Sequence, residues 1–122
     1  MALDDANLYA PFGRSLQDLR SQVVQAHPDI RNLQADFLTL QQYFQTTLLP
    51  TEYPNLADSA ESKLVSYHAE ISKELRLLGM DIMFLQSARQ TMTIQQRQAQ
   101  IRDRLDRLRD YCDRIVEGLE TL

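Results

Sequence analysis

The chain has 122 residues, a length that suits one domain with its own hydrophobic core. With 43% hydrophobic and 25% charged residues, three Gly and no Trp, the composition is that of an ordered globular protein and excludes a disordered chain. A net charge of −4 argues against nucleic acid as a partner, because phosphate binding requires a basic surface.

The expected compartment is the cytoplasm. Cys112 is the only cysteine, which rules out a disulfide within the chain and fits a reducing environment. Residues 1–5 contain two acids and no basic residue, unlike a signal peptide, and no stretch approaches the roughly 20 apolar residues that span a bilayer. We therefore predict a soluble protein with no membrane insertion.

A first amphipathic helix is predicted over residues 6–26. Its apolar side chains recur at steps of three and four, the spacing of one helical face: Leu8, Phe12, Leu16, Leu19 and Val23. Pro11 is tolerated in the first turns of a helix. The pair His27-Pro28 predicts the end, because a residue before proline avoids the helical region.

A second helix is predicted over residues 29–49. Pro28 and Asp29 suit the start of a helix, where a missing N–H is harmless and a negative charge is favoured. Its apolar face consists of Ile30, Leu33, Phe37, Leu40, Phe44 and Leu48. In the loop that follows, Tyr53 and Leu56 are predicted to fold back onto the end of the bundle.

The third helix is predicted over residues 59–88. Asp58 or Ser59 is the expected N-cap, with Glu61 completing a capping box. Its core line comprises Leu64, Tyr67, Ile71, Leu75, Leu78, Ile82 and Leu85. Because glycine inside a helix is about 1 kcal/mol less favourable than alanine, Gly79 predicts a close neighbour or a bend.

The fourth helix is predicted over residues 93–120, with Thr93 and Gln96 as its capping box. Its core line, which from Ile101 onward follows the alternation of a coiled-coil seam, is Ile94, Ile101, Leu105, Leu108, Cys112, Ile115 and Leu119. Four surface ion pairs have the i,i+4 spacing: Arg102/Asp106, Asp103/Arg107, Arg109/Asp113 and Asp110/Arg114.

Four helices with short connections and one apolar face each bury those faces by packing around a common core. The sequence therefore predicts an all-α fold, an antiparallel up-down-up-down four-helix bundle that occupies residues 1–122 as a single domain.

No cofactor, metal or catalytic site is predicted. A di-iron bundle needs Glu three residues before His, yet valines precede His27 and His68 at that spacing. Phosphate loops, dinucleotide fingerprints and nucleophile elbows are absent from the sequence. His68 is interpreted as a core-edge or surface residue, the alternative being an isolated ligand. Cys112 is interpreted as a buried core residue, the alternative being a redox thiol. We do not expect an enzyme.

Asp81 lies in an apolar run about 60° from the core line of the third helix. A carboxylate near the core needs a basic partner. If the third and fourth helices form a hairpin, Arg97 and Arg104 both fall within about one turn of Asp81. Either arginine is a candidate for a buried ion pair; the alternative is that Asp81 reaches water at the bundle edge.

A second apolar strip is predicted on the third helix. Measured from Leu78 as zero, Leu77, Phe84 and Met80 lie near −100°, −120° and −160°, whereas the core residues lie between about −20° and +60°. Arg76 and Lys73 border this strip and provide the polar rim that a protein contact usually has. We predict a protein-binding surface or a homodimer contact. The alternative is that the first helix, through Tyr9 or Phe12, or the Tyr53 loop covers the strip within the chain.

The segment Lys73–Gln90, which reads KELRLLGMDIMFLQSARQ, resembles the cyanobacterial heterocyst frequency control protein PatD family. The segments Phe37–Phe44 and Leu105–Cys112 fit the same resemblance. It implies a small cytoplasmic helical protein that contacts the tubulin-like division protein FtsZ and influences cell division and heterocyst frequency. A self-associating structural bundle, or an adaptor with another protein partner, is the alternative.

Overall fold

The computed structural model describes residues 6–120, and all regular structure within that range is helical. The four helices are α1 (Ala10–Val23), α2 (Ile30–Tyr43), α3 (Asp58–Ser87) and α4 (Thr91–Glu120). The predicted all-α class is confirmed.

The helices pack in a closed ring, α1 on α2, α2 on α3, α3 on α4 and α4 on α1. Tyr67 of α3 lies beside Tyr111 of α4, whereas Phe84 lies beside Arg97, so these two helices run antiparallel. The architecture is the predicted up-down-up-down bundle. Its core combines the apolar faces of all four helices, including Phe12, Leu16, Leu33, Phe44, Ile71, Leu78, Ile101 and Leu108.

Helix α1 is shorter than the predicted range of 6–26. It begins at Ala10 with Pro11 in its first turn and ends at Val23, four residues before His27-Pro28. Tyr9, just before the helix, is fully buried, whereas Leu8 is only half-buried. The apolar spacing places Leu8 in the core only if the helix continues through this position. Because α1 begins at Ala10, Tyr9 takes that place instead.

Helix α2 begins at Ile30, one residue after the predicted start, because Asp29 is its N-cap: the Asp29 carboxylate accepts a hydrogen bond from the Asn32 backbone N–H at 3.2 Å. It then widens into a π turn over Phe44–Leu48, closed by a 2.8 Å bond from the Leu49 N–H to the Phe44 carbonyl. In the following loop, Tyr53 and Leu56 pack against the core, which confirms that prediction.

Both predicted capping boxes are wrong. Helix α3 begins after Ala57, with no side chain capping it; Glu61 bonds through its backbone N–H to the Ala57 carbonyl. Helix α4 begins at Thr91, so Thr93 lies within its first turn. Helix α4 starts two residues earlier than the capping pattern predicted, because the connection from α3 is short.

No helix among residues 6–120 combines the length and apolar character needed to cross a membrane.

Candidate protein-binding surface

The predicted strip on α3 remains largely open to solvent. Met80 is 45% exposed and Phe84 is 44% exposed, whereas Leu77 is half-buried. Helix α1 packs on α2 and α4, on the other side of the bundle, and does not cover the strip. A continuous exposed apolar area on a small bundle is typical of an interaction site.

Two exposed apolar residues that lie outside the predicted strip extend this area. Met83, one helical turn after Met80, is 63% exposed, and Leu38 of α2 is 60% exposed. We call the set Leu38, Met80, Met83 and Phe84 the outer apolar surface. Met83 lies near +140° from Leu78, outside the core arc, so its angle on α3 was a usable signal. Leu38 joins the surface only because α2 packs on that side of α3.

A shallow apolar groove of about 430 Å³ separates α2 from α3 within this surface. Leu38 forms one wall and Met80 with Met83 the other, and we call it the α2–α3 groove. Its floor contains Gly79 and the Phe37 ring. A Cβ atom at position 79 would lie 3.0 Å from Phe37 Cζ, so glycine is what permits this close approach of the two helices.

The predicted polar rim is present, and Arg76 lines the groove. Lys73 is also exposed, and its Nζ lies 2.8 Å from Glu70 Oε2, which balances its charge locally. Arg76 makes no ion pair with any acid among residues 6–120. The groove therefore has an uncompensated positive charge beside its apolar walls.

Asp81 is buried in the α3–α4 interface and pairs with Arg104. The Arg104 Nε donates to Asp81 Oδ2 at 2.6 Å, and its Nη1 donates to Glu74 Oε2 at 2.7 Å. Arg107 approaches Glu74 from the solvent side at 3.4 Å. Desolvation opposes the charged form of Arg104, but the hydrogen bonds to Asp81 and Glu74 outweigh it and raise the pKa of the guanidinium. Arg104, Asp81 and Glu74 satisfy one another's hydrogen bonds away from water. We therefore interpret this cluster as structural.

The proposal of Arg97 as a partner of Asp81 is wrong. Its guanidinium carbon lies 4.8 Å from the centroid of the Phe84 ring, and its Nη1 donates to Gln100 Oε1. Arg97 is nearer the α3–α4 turn than Arg104, so the antiparallel register places it opposite Phe84. The cation covers one edge of the outer apolar surface through a cation–π contact.

The remaining reactive side chains are buried away from this surface. The Tyr9 hydroxyl and His68 Nε2 share a 2.7 Å hydrogen bond, and Phe44 packs edge-on against the imidazole. Burial lowers the pKa of His68 and raises the pKa of the Cys112 thiol to about 12. Among residues 6–120 there is no cluster of three potential metal ligands. The exposed apolar surface is therefore the strongest candidate site in the described chain.

By fold, the protein is an antiparallel four-helix bundle, an architecture that hosts many different functions. No family model, curated protein or solved structure matches its sequence or fold.

Proposed function

We propose that this protein is a non-enzymatic regulator that acts by binding another protein through its outer apolar surface. The observation that carries the proposal is the exposure of Leu38, Met80, Met83 and Phe84 beside one another on a bundle that buries its other large apolar clusters. Methionine side chains are flexible and polarizable, so two of them on one surface suit adaptable protein contacts.

The partner we propose is FtsZ, and the supporting observation is the resemblance of Lys73–Gln90 to the PatD family. This segment contains Met80, Met83 and Phe84, so the resemblance and the exposed apolar side chains coincide on the same part of α3. In that function the protein would act in the cytoplasm, influencing cell division and, in a host that forms heterocysts, their frequency.

Sedimentation of FtsZ polymers tests the proposal. We expect the protein to pellet with FtsZ or to change the amount of FtsZ pelleted. The double variant Met80→Ser/Phe84→Ser should lose this effect while still unfolding cooperatively, because both side chains lie at the surface and the variant gives up only their partial burial and the cation–π contact of Phe84 with Arg97. Unchanged pelleting of FtsZ together with no co-pelleting would exclude FtsZ as the direct partner.

A matched control variant is Leu49→Ser/Val65→Ser. These two side chains are 45% and 62% exposed and lie outside the outer apolar surface. The control should sediment with FtsZ as the original protein does. If both double variants lose binding equally, the outer apolar surface is not the contact.

Self-association through the same surface is the alternative function. It predicts a dimer mass in solution for the original protein and a monomer mass for Met80→Ser/Phe84→Ser. A monomer mass for both at concentrations used for the sedimentation experiment would exclude it.

A further inference from the structure

We propose that the α2–α3 groove binds an amphipathic helix whose flanking residues are acidic. The inference rests on the proposed protein-binding function and adds the chemistry of the partner element. It follows from the shape of the groove and from the charges at its two ends.

The groove suits a helix of about three turns. Gln34 of α2 donates a 2.9 Å hydrogen bond to Gln86 of α3, which fixes the two helices side by side at the end near the α3–α4 turn. Arg76 marks the other end, ten residues back along α3, about 15 Å away at 1.5 Å per residue. Both walls are helical, so their backbone N–H and C=O groups are already paired, and recognition must use side chains.

The ends of the groove are positively charged. Arg31 lies seven residues before Leu38, nearly the same direction on α2, and is exposed at the end near the α3–α4 turn. No acid among residues 6–120 forms an ion pair with Arg31 or Arg76. One cation therefore stands at each end of the apolar groove, on opposite walls.

The acids of α2 and of the groove-bearing part of α3 are occupied elsewhere. Asp29, which caps α2, and Asp36, which accepts a 2.7 Å hydrogen bond from Gln22 of α1, lie about 160° to 180° around α2 from Leu38 and so face away from the groove. Glu74 and Asp81 are buried against Arg104. A protein with a net charge of −4 thus presents a locally positive surface around the groove, which complements an acidic ligand.

The same charges disfavour a second copy as the occupant. Two grooves packed face to face would gather two arginines, one from each copy, at each end of the shared interface in either parallel or antiparallel alignment. Like charges across an interface are unfavourable, whereas a helix with glutamates beside its apolar stripe would pair with both arginines. The occupant that fits is therefore another, acidic helix.

The experiment uses a designed, fluorescently labelled helical peptide of about 16 residues with leucines at i, i+3, i+4 and i+7. One version carries glutamates on both flanks of the apolar stripe, and a second version carries lysines at the same positions. Fluorescence anisotropy with the full chain should show about tenfold tighter binding of the glutamate peptide, with affinity falling as salt is added.

Charge reversal then locates the site. Arg31→Glu/Arg76→Glu should weaken binding of the glutamate peptide by about tenfold and strengthen binding of the lysine peptide. The matched control Arg14→Glu/Lys63→Glu makes the same change in net charge at exposed positions outside the groove and should leave both affinities close to their original values. Leu38→Ser/Met83→Ser should weaken binding of both peptides, because it removes apolar groove walls.

Equal affinity for the two peptides, or equal effects of the two charge-reversal variants, would overturn the inference. So would undiminished binding of both peptides to Leu38→Ser/Met83→Ser, or a dimer mass that the glutamate peptide fails to dissociate. The outcomes separate the inference from the proposed function. Binding of FtsZ that survives Arg31→Glu/Arg76→Glu overturns the groove chemistry alone, whereas peptide binding without FtsZ binding rejects the partner and keeps the groove.

Discussion

Arg104 on α4 donates to Asp81 on α3 at 2.6 Å, although both residues are less than a tenth exposed. The same guanidinium holds Glu74, seven residues earlier on α3. Seven residues are about two helical turns, so Arg104 sits between two acids on one face. A slip of α4 by one turn would carry Arg104 about 5.4 Å along α3, away from one of these carboxylates, and the cluster therefore favours the observed register of the α3–α4 pair.

Removing one member of this cluster should be costly. We expect Asp81→Ala to lower the free energy of unfolding by about 1 to 3 kcal/mol, because Arg104 keeps Glu74 but loses its other buried partner. Urea denaturation measures the change. As a control, Asp110→Ala removes a solvent-exposed pair with Arg114 and should cost no more than about 0.5 kcal/mol. Similar losses for the two variants would contradict the structural role of Asp81.

Stability should fall as the solution is acidified through the titration range of His68. Burial lowers the pKa of His68 in the folded protein, whereas in the unfolded chain it stays near 6.5. Below pH 6.5 the unfolded state therefore binds the proton more readily, so stability contributed by the neutral imidazole is present above that pH and is lost toward lower pH.

The variant His68→Gln isolates this effect, because glutamine has a hydrogen-bonding side chain that does not titrate. Urea denaturation at pH 7.5 and at pH 5.5 gives the pH dependence of each protein. The loss between these values should be smaller in His68→Gln than in the original protein. An identical loss in both would show that the buried histidine does not govern stability in this range.

Two glycines of the helices should respond in opposite directions to alanine. At Gly13 a Cβ atom meets nothing within 4 Å, so Gly13→Ala should raise the free energy of unfolding by about 0.5 to 1 kcal/mol through helix propensity. At Gly79 the Cβ atom would press on Phe37 at 3.0 Å, and an overpacking cost of about 2 kcal/mol there exceeds the helix-propensity gain of about 1 kcal/mol, so Gly79→Ala should lower the free energy of unfolding by about 1 kcal/mol. Thermal and urea denaturation compare the two. A stabilised Gly79→Ala would mean that Phe37 moves into the groove without cost.

The Cys112 thiol should be unreactive in the folded protein. It is 3% exposed, and burial raises its pKa to about 12, so little thiolate is present at pH 8. A thiol reagent such as dithionitrobenzoate should label it rapidly in denaturant and only at the rate of opening in buffer. Rapid labelling of the folded protein would instead identify an accessible thiol.

The helices were predictable because apolar spacing decides them, whereas the ends of α1, the start of α4 and several surface contacts were not. Arg109/Asp113 and Asp110/Arg114 form as the i,i+4 rule predicts, at 3.5 and 2.9 Å. Asp106 instead pairs with Arg20 of α1 at 2.7 Å, and Arg107 turns toward Glu74. Both of these pairs join different helices, and the residue spacing within a single helix cannot predict them.

The candidate site shows the same limit. Helical angles alone place Met80 and Phe84 away from the core, as the structure has them. The angles around α3 do not show on which side of it α2 packs. They therefore cannot predict that Leu38 joins the surface or that a groove forms between the two helices. In the predicted hairpin, Arg97 and Arg104 both fall within about one turn of Asp81. Only the register in the structure shows that Arg104 is the partner.

The π turn at the end of α2 has a consequence for the lengths of related chains. Its ring is closed from the Leu49 N–H to the Phe44 carbonyl, five residues back, where an α-helix would need four. The segment between these two residues is therefore one residue longer than an α-helical turn requires. A relative that lacks the extra residue could run straight from Phe44 into the loop with the same fold, so single-residue gaps should collect at this point when such sequences are aligned.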